Sequence, residues 1–145
     1  AQVLANVTGN REAALRDGRA MDTWRAMIRA QGGDPDAALP TPRASHTVVA
    51  EAAGVVTRLE ALPFGIAAWR LGAGRARAQD PVVHAAGIDL HVKPGDAVAA
   101  GQPVFTLHAD DDQRFARALD AVDGAWAIGA DAPASAPLVI ERITA

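Results

Sequence analysis

The chain contains no cysteine among its 145 residues. That absence excludes a disulfide-bonded scaffold, a thiolate nucleophile and a zinc site with cysteine ligands, and it fits a reducing compartment. No apolar run approaches the roughly 20 residues that a membrane helix needs, and no charged-then-apolar signal segment opens the sequence. From these absences we expect a cytoplasmic protein with no membrane partner.

Basic side chains are too few and too scattered to form a nucleic-acid surface. Lysine and arginine together number 14 against 17 acidic residues, and Lys93 is the only lysine. Nucleic-acid binding depends on clustered positive charge, whereas this chain has a net charge of -3. We therefore expect no nucleic-acid partner.

Length and proline content suggest one domain with an appendage. A chain of 145 residues is long enough for one domain with a real core. Pro35, Pro40 and Pro42 cluster within residues 34–45, where they disfavour helix, and we assign that stretch as a linker between residues 1–33 and 46–145. The opening AQVLANVTGN has no methionine and a helix-like apolar pattern. We interpret the chain as a piece of a longer protein, either designed or released by proteolysis.

A helical pattern covers Arg11 to Gln31, with Asn10 as its capping residue and Gly32-Gly33 as its end. Gly18 costs about 1 kcal/mol in a helix interior, so one bent helix or two short ones are predicted. The helix carries an apolar stripe that needs a partner. Its members are Leu15, Met21, Trp24, Met27 and Ile28.

The remainder alternates short strands with two helices. Two β-branched runs, 46–51 and 55–59, flank Gly54 and predict a hairpin. Residues 62–71 are evenly apolar and predict a short buried helix that ends at Gly72. Strands are predicted at 88–92, from Val98, at 104–108 and at 138–140, with turns at 94–96 and 101–103.

The second of these helices follows Asp110 to Asp112, which can cap its first turn. Its apolar stripe has helical spacing. The stripe consists of Phe115, Leu119, Val122 and Trp126. A helical segment followed by mixed strands and two more helices predicts the α+β class.

Few residues have the spacing of a known reactive site. One candidate anion site is Gly72-Ala73-Gly74-Arg75, because glycines let backbone N–H groups approach an anion and the arginine guanidinium can donate two hydrogen bonds to it. The motif lacks the third glycine and the following helix that a dinucleotide-binding fingerprint needs. The four histidines have no zinc-enzyme spacing, and none stands next to a serine that it could obviously activate. They are His46, His84, His91 and His108. We expect no metal site and no cofactor.

Several motifs occur in an order that is more specific than any one of them. They are Ala30-Gln31-Gly32-Gly33-Asp34, Gly72-Ala73-Gly74-Arg75, Asp80-Pro81-Val82, Gly87-Ile88-Asp89-Leu90, Lys93-Pro94-Gly95-Asp96, Gly101-Gln102-Pro103 and Leu107-His108-Ala109. With them, essentially the whole chain resembles the C-terminal part of the pyrimidine-nucleoside phosphorylase family, which includes thymidine phosphorylases.

The resemblance implies a fold and a reaction. The fold is a mixed β-sheet, barrel-sandwich-like domain of the α/β-hammerhead type at residues 46–145, after a helical segment at 1–33 that ends the family's α/β phosphate-binding domain. The reaction is a pentosyl transfer of nucleoside salvage, in which phosphate cleaves a pyrimidine nucleoside to free base and pentose 1-phosphate. The resemblance further implies a homodimeric parent enzyme, whereas the piece itself is expected to be a monomer.

The same resemblance implies which residues take part. The family's catalytic lysines have no counterpart here, since Lys93 is the only lysine, so we expect no catalytic residue and no activity from this chain alone. The family's glycine-rich loop corresponds to residues 72–86, and it implies that Gly72, Gly74, Arg75 and Asp80 help to close the substrate cleft.

An alternative of another class stays open. The two tight turns in VKPGDAVAAGQPVFTL also look like half of a biotinyl or lipoyl carrier domain, or of a non-enzymatic binding module with the same barrel-sandwich core. Such a carrier needs a lysine at an exposed hairpin tip, whereas Lys93 directly precedes the Pro94-Gly95 turn.

Overall fold

A computed structural model describes residues 11–75, 77–134, 139 and 141–143, without the side chains of residues 11 and 12. The predicted cap at residue 10 and the ends of the predicted strand at 138–140 lie outside the described residues. The chain forms two compact units that divide between Leu39 and Pro40.

Gly18 separates two helices in the first unit, which decides between the two predicted alternatives in favour of two short helices. Helix α1 spans Arg11–Arg16 and helix α2 spans Arg19–Ala30. Gly18 has a φ of 87°, a left-handed conformation that favours glycine, and its carbonyl oxygen accepts a hydrogen bond from Asp22 N at 2.9 Å. Helix α2 has no buried residue, and Met21, Trp24 and Met27 of the apolar stripe are largely exposed.

The second unit contains two three-stranded antiparallel sheets. The strands are β1 (Ala44–Val49), β2 (Gly54–Leu59), β3 (Gly87–Leu90), β4 (Ala97–Val98), β5 (Pro103–Ala109) and β6 (Trp126–Gly129). Their order is β1-β5-β3 in one sheet and β4-β2-β6 in the other. Helix α3 (Ala61–Ala68) runs into a π-helical turn (Trp69–Ala73), and helix α4 (Arg114–Val122) follows β5. The α+β class is confirmed.

The predicted hairpin around Gly54 is wrong. Strand β1 pairs with β5, whereas β2 pairs with β4 and β6, so the two runs lie in different sheets. The chain crosses between the sheets at the buried Ala50, whose N–H donates to the Gln102 carbonyl at 2.8 Å. Gly54 permits close strand packing instead of a turn, since a Cβ there would lie 2.7 Å from the carbonyl oxygen of Gly129.

The second helical stripe ends one turn earlier than predicted. Gly124, with a φ of 65°, turns the chain after α4, and Ala125 N–H donates to the Val122 carbonyl. Trp126 therefore begins strand β6 and is not on the helix. Phe115, Leu119 and Val122 do pack on the core as the stripe predicted.

The core lies between the two sheets and helices α3 and α4. Phe105 of β5 is fully buried, and its ring meets Phe64 of α3 and Trp126 of β6 edge-on, at centroid distances of 5.1 and 5.8 Å. Edge-on aromatic pairs of this kind add to the free energy of burial. The prediction that this helix is buried holds for one face only: Phe64 and Ala67 of α3 lie in the core, whereas Leu62 is 75% exposed.

None of the helices that the structure describes has the length and apolar character needed to cross a membrane.

Candidate functional site

The end of helix α3 is shaped by Gly72. Its φ of 116° is available to glycine and strained for other residues. A Cβ at this position would lie 3.0 Å from Nη1 of Arg114 and 3.2 Å from Cγ2 of Val83. Gly72 therefore lets the chain leave the helix while an arginine head group from α4 packs against its backbone.

A surface loop begins at this glycine and returns to it. Val83 N–H donates to the Gly72 carbonyl at 2.9 Å, which closes the base of the loop. Near the far end, Asp80 Oδ2 accepts a hydrogen bond from Arg77 N at 2.8 Å, and Asp80 N donates to the Arg77 carbonyl at 3.0 Å. The base is fixed by backbone contacts, while Arg75 and Arg77 are exposed.

A pocket of about 310 Å³ lies between this loop and helix α4. Its wall combines the loop glycines, an indole ring and three arginines. The lining residues are Trp69, Arg70, Gly72, Gly74, Asp80, Pro81, Val83, Arg114 and Arg117. A Cβ at Gly74 would lie 2.8 Å from Cδ1 of Trp69, so the indole covers the loop backbone closely.

Three of the four residues predicted from the sequence meet at this pocket. Gly72, Gly74 and Asp80 line it, whereas Arg75 does not. The Arg75 guanidinium instead makes a long hydrogen bond, 3.4 Å, to the Ala78 carbonyl within the loop. The structure thus brings the glycines and the carboxylate together and leaves Arg75 exposed on the loop.

The sequence reasoning missed the three arginines of the pocket wall. Arg114 and Arg117 are three residues apart at the start of α4, a spacing that places both on one face of a helix. Arg70 comes from the π-helical turn, and its Nη1 donates to the Arg117 carbonyl at 2.6 Å. The i, i+3 spacing could have predicted that Arg114 and Arg117 share a helix face. No sequence pattern predicted that Arg70 lies next to them.

A second polar cluster lies on the outer face of the β1-β5-β3 sheet. His108 Nδ1 lies 2.9 Å from Ser45 Oγ, and its Nε2 lies 3.0 Å from Asp89 Oδ2. A histidine therefore does contact a serine. The two residues are far apart in the sequence and meet as cross-strand partners in β1 and β5, so their sequence positions did not predict the contact. None of the three lines the pocket, and cross-strand pairing accounts for their contacts.

Metal ligands do not converge in the described part of the chain, where no group of three or more His, Asp or Glu residues could hold a metal ion. The chemistry of the pocket is instead that of positive charge. Guanidinium groups bind anions through charge-assisted and often paired hydrogen bonds.

The fold and the pocket together define a class: a small α+β domain in which a glycine-based loop borders a pocket lined by arginines. Residues 55–129 match the sequence model described as the pyrimidine nucleoside phosphorylase C-terminal domain. The chain belongs to this family.

Two curated relatives are similar to nearly the whole chain. The thymidine phosphorylases of Mycobacterium tuberculosis strains CDC 1551 / Oshkosh and ATCC 25618 / H37Rv are each 43% identical to it over 141 residues. These alignments cover 97% of this chain and 33% of each relative. The chain therefore spans about a third of the length of these relatives.

Proposed function

We propose that this chain is the C-terminal part of a pyrimidine-nucleoside phosphorylase, a pentosyltransferase of nucleoside salvage in the cytoplasm. The whole enzyme cleaves thymidine or a related nucleoside with phosphate and yields free base and pentose 1-phosphate. One observation carries the proposal: 43% identity to thymidine phosphorylases extends over 97% of the chain. The comparisons lend no support to the alternative of a biotinyl or lipoyl carrier.

The proposed division of labour follows from the residues present. Phosphorolysis needs groups that hold phosphate and that stabilise the negative charge developing on the departing base. The family's catalytic lysines have no counterpart in this chain, whose single lysine, Lys93, is exposed at the Pro94-Gly95 turn. This part of the enzyme therefore supplies a wall of the cleft, and the bond-breaking groups belong to the other two thirds.

We assign the loop from Gly72 to Ala86 to cleft closure, with Gly72, Gly74, Arg75 and Asp80 as its working residues. Two contacts support a loop with a fixed base, the Val83 to Gly72 hydrogen bond and the packing of Arg114 on Gly72. The Arg75 side chain is exposed and its hydrogen bond to the Ala78 carbonyl is long, at 3.4 Å, so we propose that it can exchange this bond for one to a neighbouring surface. Closure of such a loop excludes water and positions the substrate.

Two finer assignments belong to the same proposal. The two three-stranded sheets of the second unit are read as a barrel-sandwich domain of the α/β-hammerhead type, spanning residues 46–145. Residues 1–33 are assigned to the end of a phosphate-binding α/β domain and 34–45 to the linker. The whole enzyme is proposed to be a homodimer and this chain a monomer.

A chimera tests the function directly. The matching third of the Mycobacterium tuberculosis thymidine phosphorylase is replaced by this chain, and release of thymine from thymidine with phosphate is followed by chromatography. The chimera is expected to be active, whereas the relative without that third and this 145-residue chain alone are expected to be inactive. A folded but inactive chimera would contradict the proposed family activity, and turnover by the chain alone would contradict the division of labour.

Replacing Arg75 with alanine in the chimera tests closure. Because the loop positions the substrate and does not break the bond, kcat is expected to fall by roughly ten- to a hundredfold, since a misplacement of about 1 Å can cost about a hundredfold. Phosphate affinity measured without nucleoside is expected to stay the same. Arg43→Ala is the control, because Arg43 is an exposed arginine of the same unit outside the loop. Loss of phosphate binding in Arg75→Ala would show that Arg75 belongs to the binding site and not to closure.

A further inference from the structure

Three arginines line one pocket without a carboxylate partner. Among the described residues, no ion pair involves Arg70, Arg114 or Arg117. The carboxylate in the pocket wall is that of Asp80, and its Oδ2 accepts the backbone N–H of Arg77. Like charges in one small pocket repel each other unless an anion lies between them. The pocket therefore carries positive charge that the described residues do not neutralise.

The Arg70 side chain is held in the wall of this pocket. Its Nε is buried and has no hydrogen-bond partner among the described residues, whereas its Nη1 is held by the Arg117 carbonyl. Because this buried atom is out of reach of a ligand in the pocket, a ligand would use the other guanidinium donors of Arg70. The bond to Arg117 also fixes where the remaining guanidinium donors lie.

The other two arginines come from a helix that is anchored at its start. Arg114 N donates to the Asp111 carbonyl at 3.2 Å, and Gln113 N donates to Asp111 Oδ1 at 3.0 Å. The Arg114 head group packs on Gly72, and neither Arg114 nor Arg117 spends its side-chain donors on another described residue. Several guanidinium donors are thus available on one side of the pocket.

We infer that Arg70, Arg114 and Arg117 bind a phosphate group, either as inorganic phosphate or as the phosphate of a phosphomonoester such as a pentose 1-phosphate. A tetrahedral anion with several acceptor oxygens can accept from more of the three arginines that line this pocket than a carboxylate anion can. The choice of phosphate among anions rests on the proposed function, in which phosphate is consumed and a pentose 1-phosphate is formed.

Binding at this pocket also acts on the loop. Gly72, Gly74 and Asp80 line the same pocket as the arginines, and the Arg114 head group occupies the space where a side chain at Gly72 would begin. An anion that draws the three guanidinium groups together holds Arg114 against the base of the loop. The site thereby links the presence of a phosphate group to the position of the closure loop.

Titration calorimetry on the 145-residue chain tests the inference with inorganic phosphate and ribose 1-phosphate, at constant ionic strength and with chloride and acetate as comparison anions. Saturable binding of one phosphate group per chain is expected. Arg70→Gln, Arg114→Gln and Arg117→Gln are each expected to weaken it at least about tenfold, because each removes a charge-assisted contact. Arg43→Gln, which removes one charge elsewhere in the unit, is expected to change the affinity less than about twofold.

The two phosphate sources give different results. Tighter binding of ribose 1-phosphate than of phosphate identifies the ester as the ligand, with Trp69 beside the sugar, whereas equal affinities identify the phosphate group alone. Nuclear magnetic resonance of the arginine Nε–Hε groups in the unmodified chain provides a second measurement that does not depend on any variant. Phosphate is expected to shift the Arg70 signal, since an anion bound beside its guanidinium group changes the local electric field.

Absence of saturable binding, equal binding of acetate, or equal loss in Arg43→Gln would overturn the site. The result is separable from the proposed function because it requires no turnover. An active chimera with no phosphate binding by this chain contradicts only the site, and an inactive chimera with arginine-dependent binding contradicts only the phosphorylase assignment.

Discussion

Phe105→Ala is expected to lower the free energy of unfolding by about 3–5 kcal/mol, the range typical of removing a buried aromatic ring from a core. Phe105 is fully buried and its ring contacts Phe64 and Trp126 edge-on, so the change leaves a cavity where helix α3 and the two sheets meet. Urea unfolding followed by circular dichroism measures the effect. Because domains are stable by only about 5–15 kcal/mol, much of the variant should unfold at low denaturant.

Leu90→Ala is the matched control for this change. Leu90 lies opposite Phe105 in the register between β3 and β5, but it is 50% exposed. Its loss is expected to cost less than about 1.5 kcal/mol, because a half-exposed side chain buries less apolar area. Equal losses for the two variants would show that the aromatic contacts do not hold the sheets together.

Gly72→Ala is expected to lower the free energy of unfolding by about 2–4 kcal/mol. The φ of 116° is strained for any residue with a side chain, and such strain costs of order 1–3 kcal/mol. The added methyl group would also lie 3.0 Å from Arg114 and 3.2 Å from Val83, so the arginine must shift. The same unfolding measurement applies, together with phosphate titration, which should weaken as Arg114 moves.

Gly65→Ala in the preceding helix is expected to raise the free energy of unfolding, the opposite of the effect of Gly72→Ala. Gly65 lies within α3, and a Cβ there meets no atom within 4 Å. Alanine should therefore stabilise the domain by about 0.5–1 kcal/mol, the usual gain from replacing glycine in a helix interior. If Gly72→Ala were as well tolerated as Gly65→Ala, Gly72 would not be needed to end the helix.

The sequence predicted turns and helix ends better than it predicted which strands pair with each other. Turns at Gly95 and Gly101 were predictable because both adopt positive φ values, 96° and 81°, that favour glycine. The break at Gly18 had the same physical basis. By contrast, the β-branched runs before and after Gly54 had the composition of a hairpin, and only the long-range partners of β1 and β2 separate them into two sheets.

The candidate site was predicted in part for a related reason. Gly72 and Gly74 were found because glycine repeats mark unusual backbone, and Asp80 was found by resemblance. The sequence did not predict the three arginines, Arg70, Arg114 and Arg117. They come together only because α4 packs on the end of α3, and no local sequence pattern predicts that packing. The same limitation applies to Trp126. Its spacing from Phe115 fits a helix, but the chain turns at Gly124 and Trp126 lies in strand β6.

The distribution of the two sheets along the chain determines when the domain can fold. Side-chain hydrogen bonds between paired strands join residues that are 59 to 70 positions apart, such as the hydroxyls of Thr47 and Thr106, and the Thr57 hydroxyl with the Ala127 carbonyl. Pairing over such distances slows folding, because the loop entropy is lost before the contacts form. During synthesis, β2 has an open edge until β6 has left the ribosome. A nascent chain that stalls before Trp126 thus exposes a strand that other chains can pair with, and aggregation competes with completion.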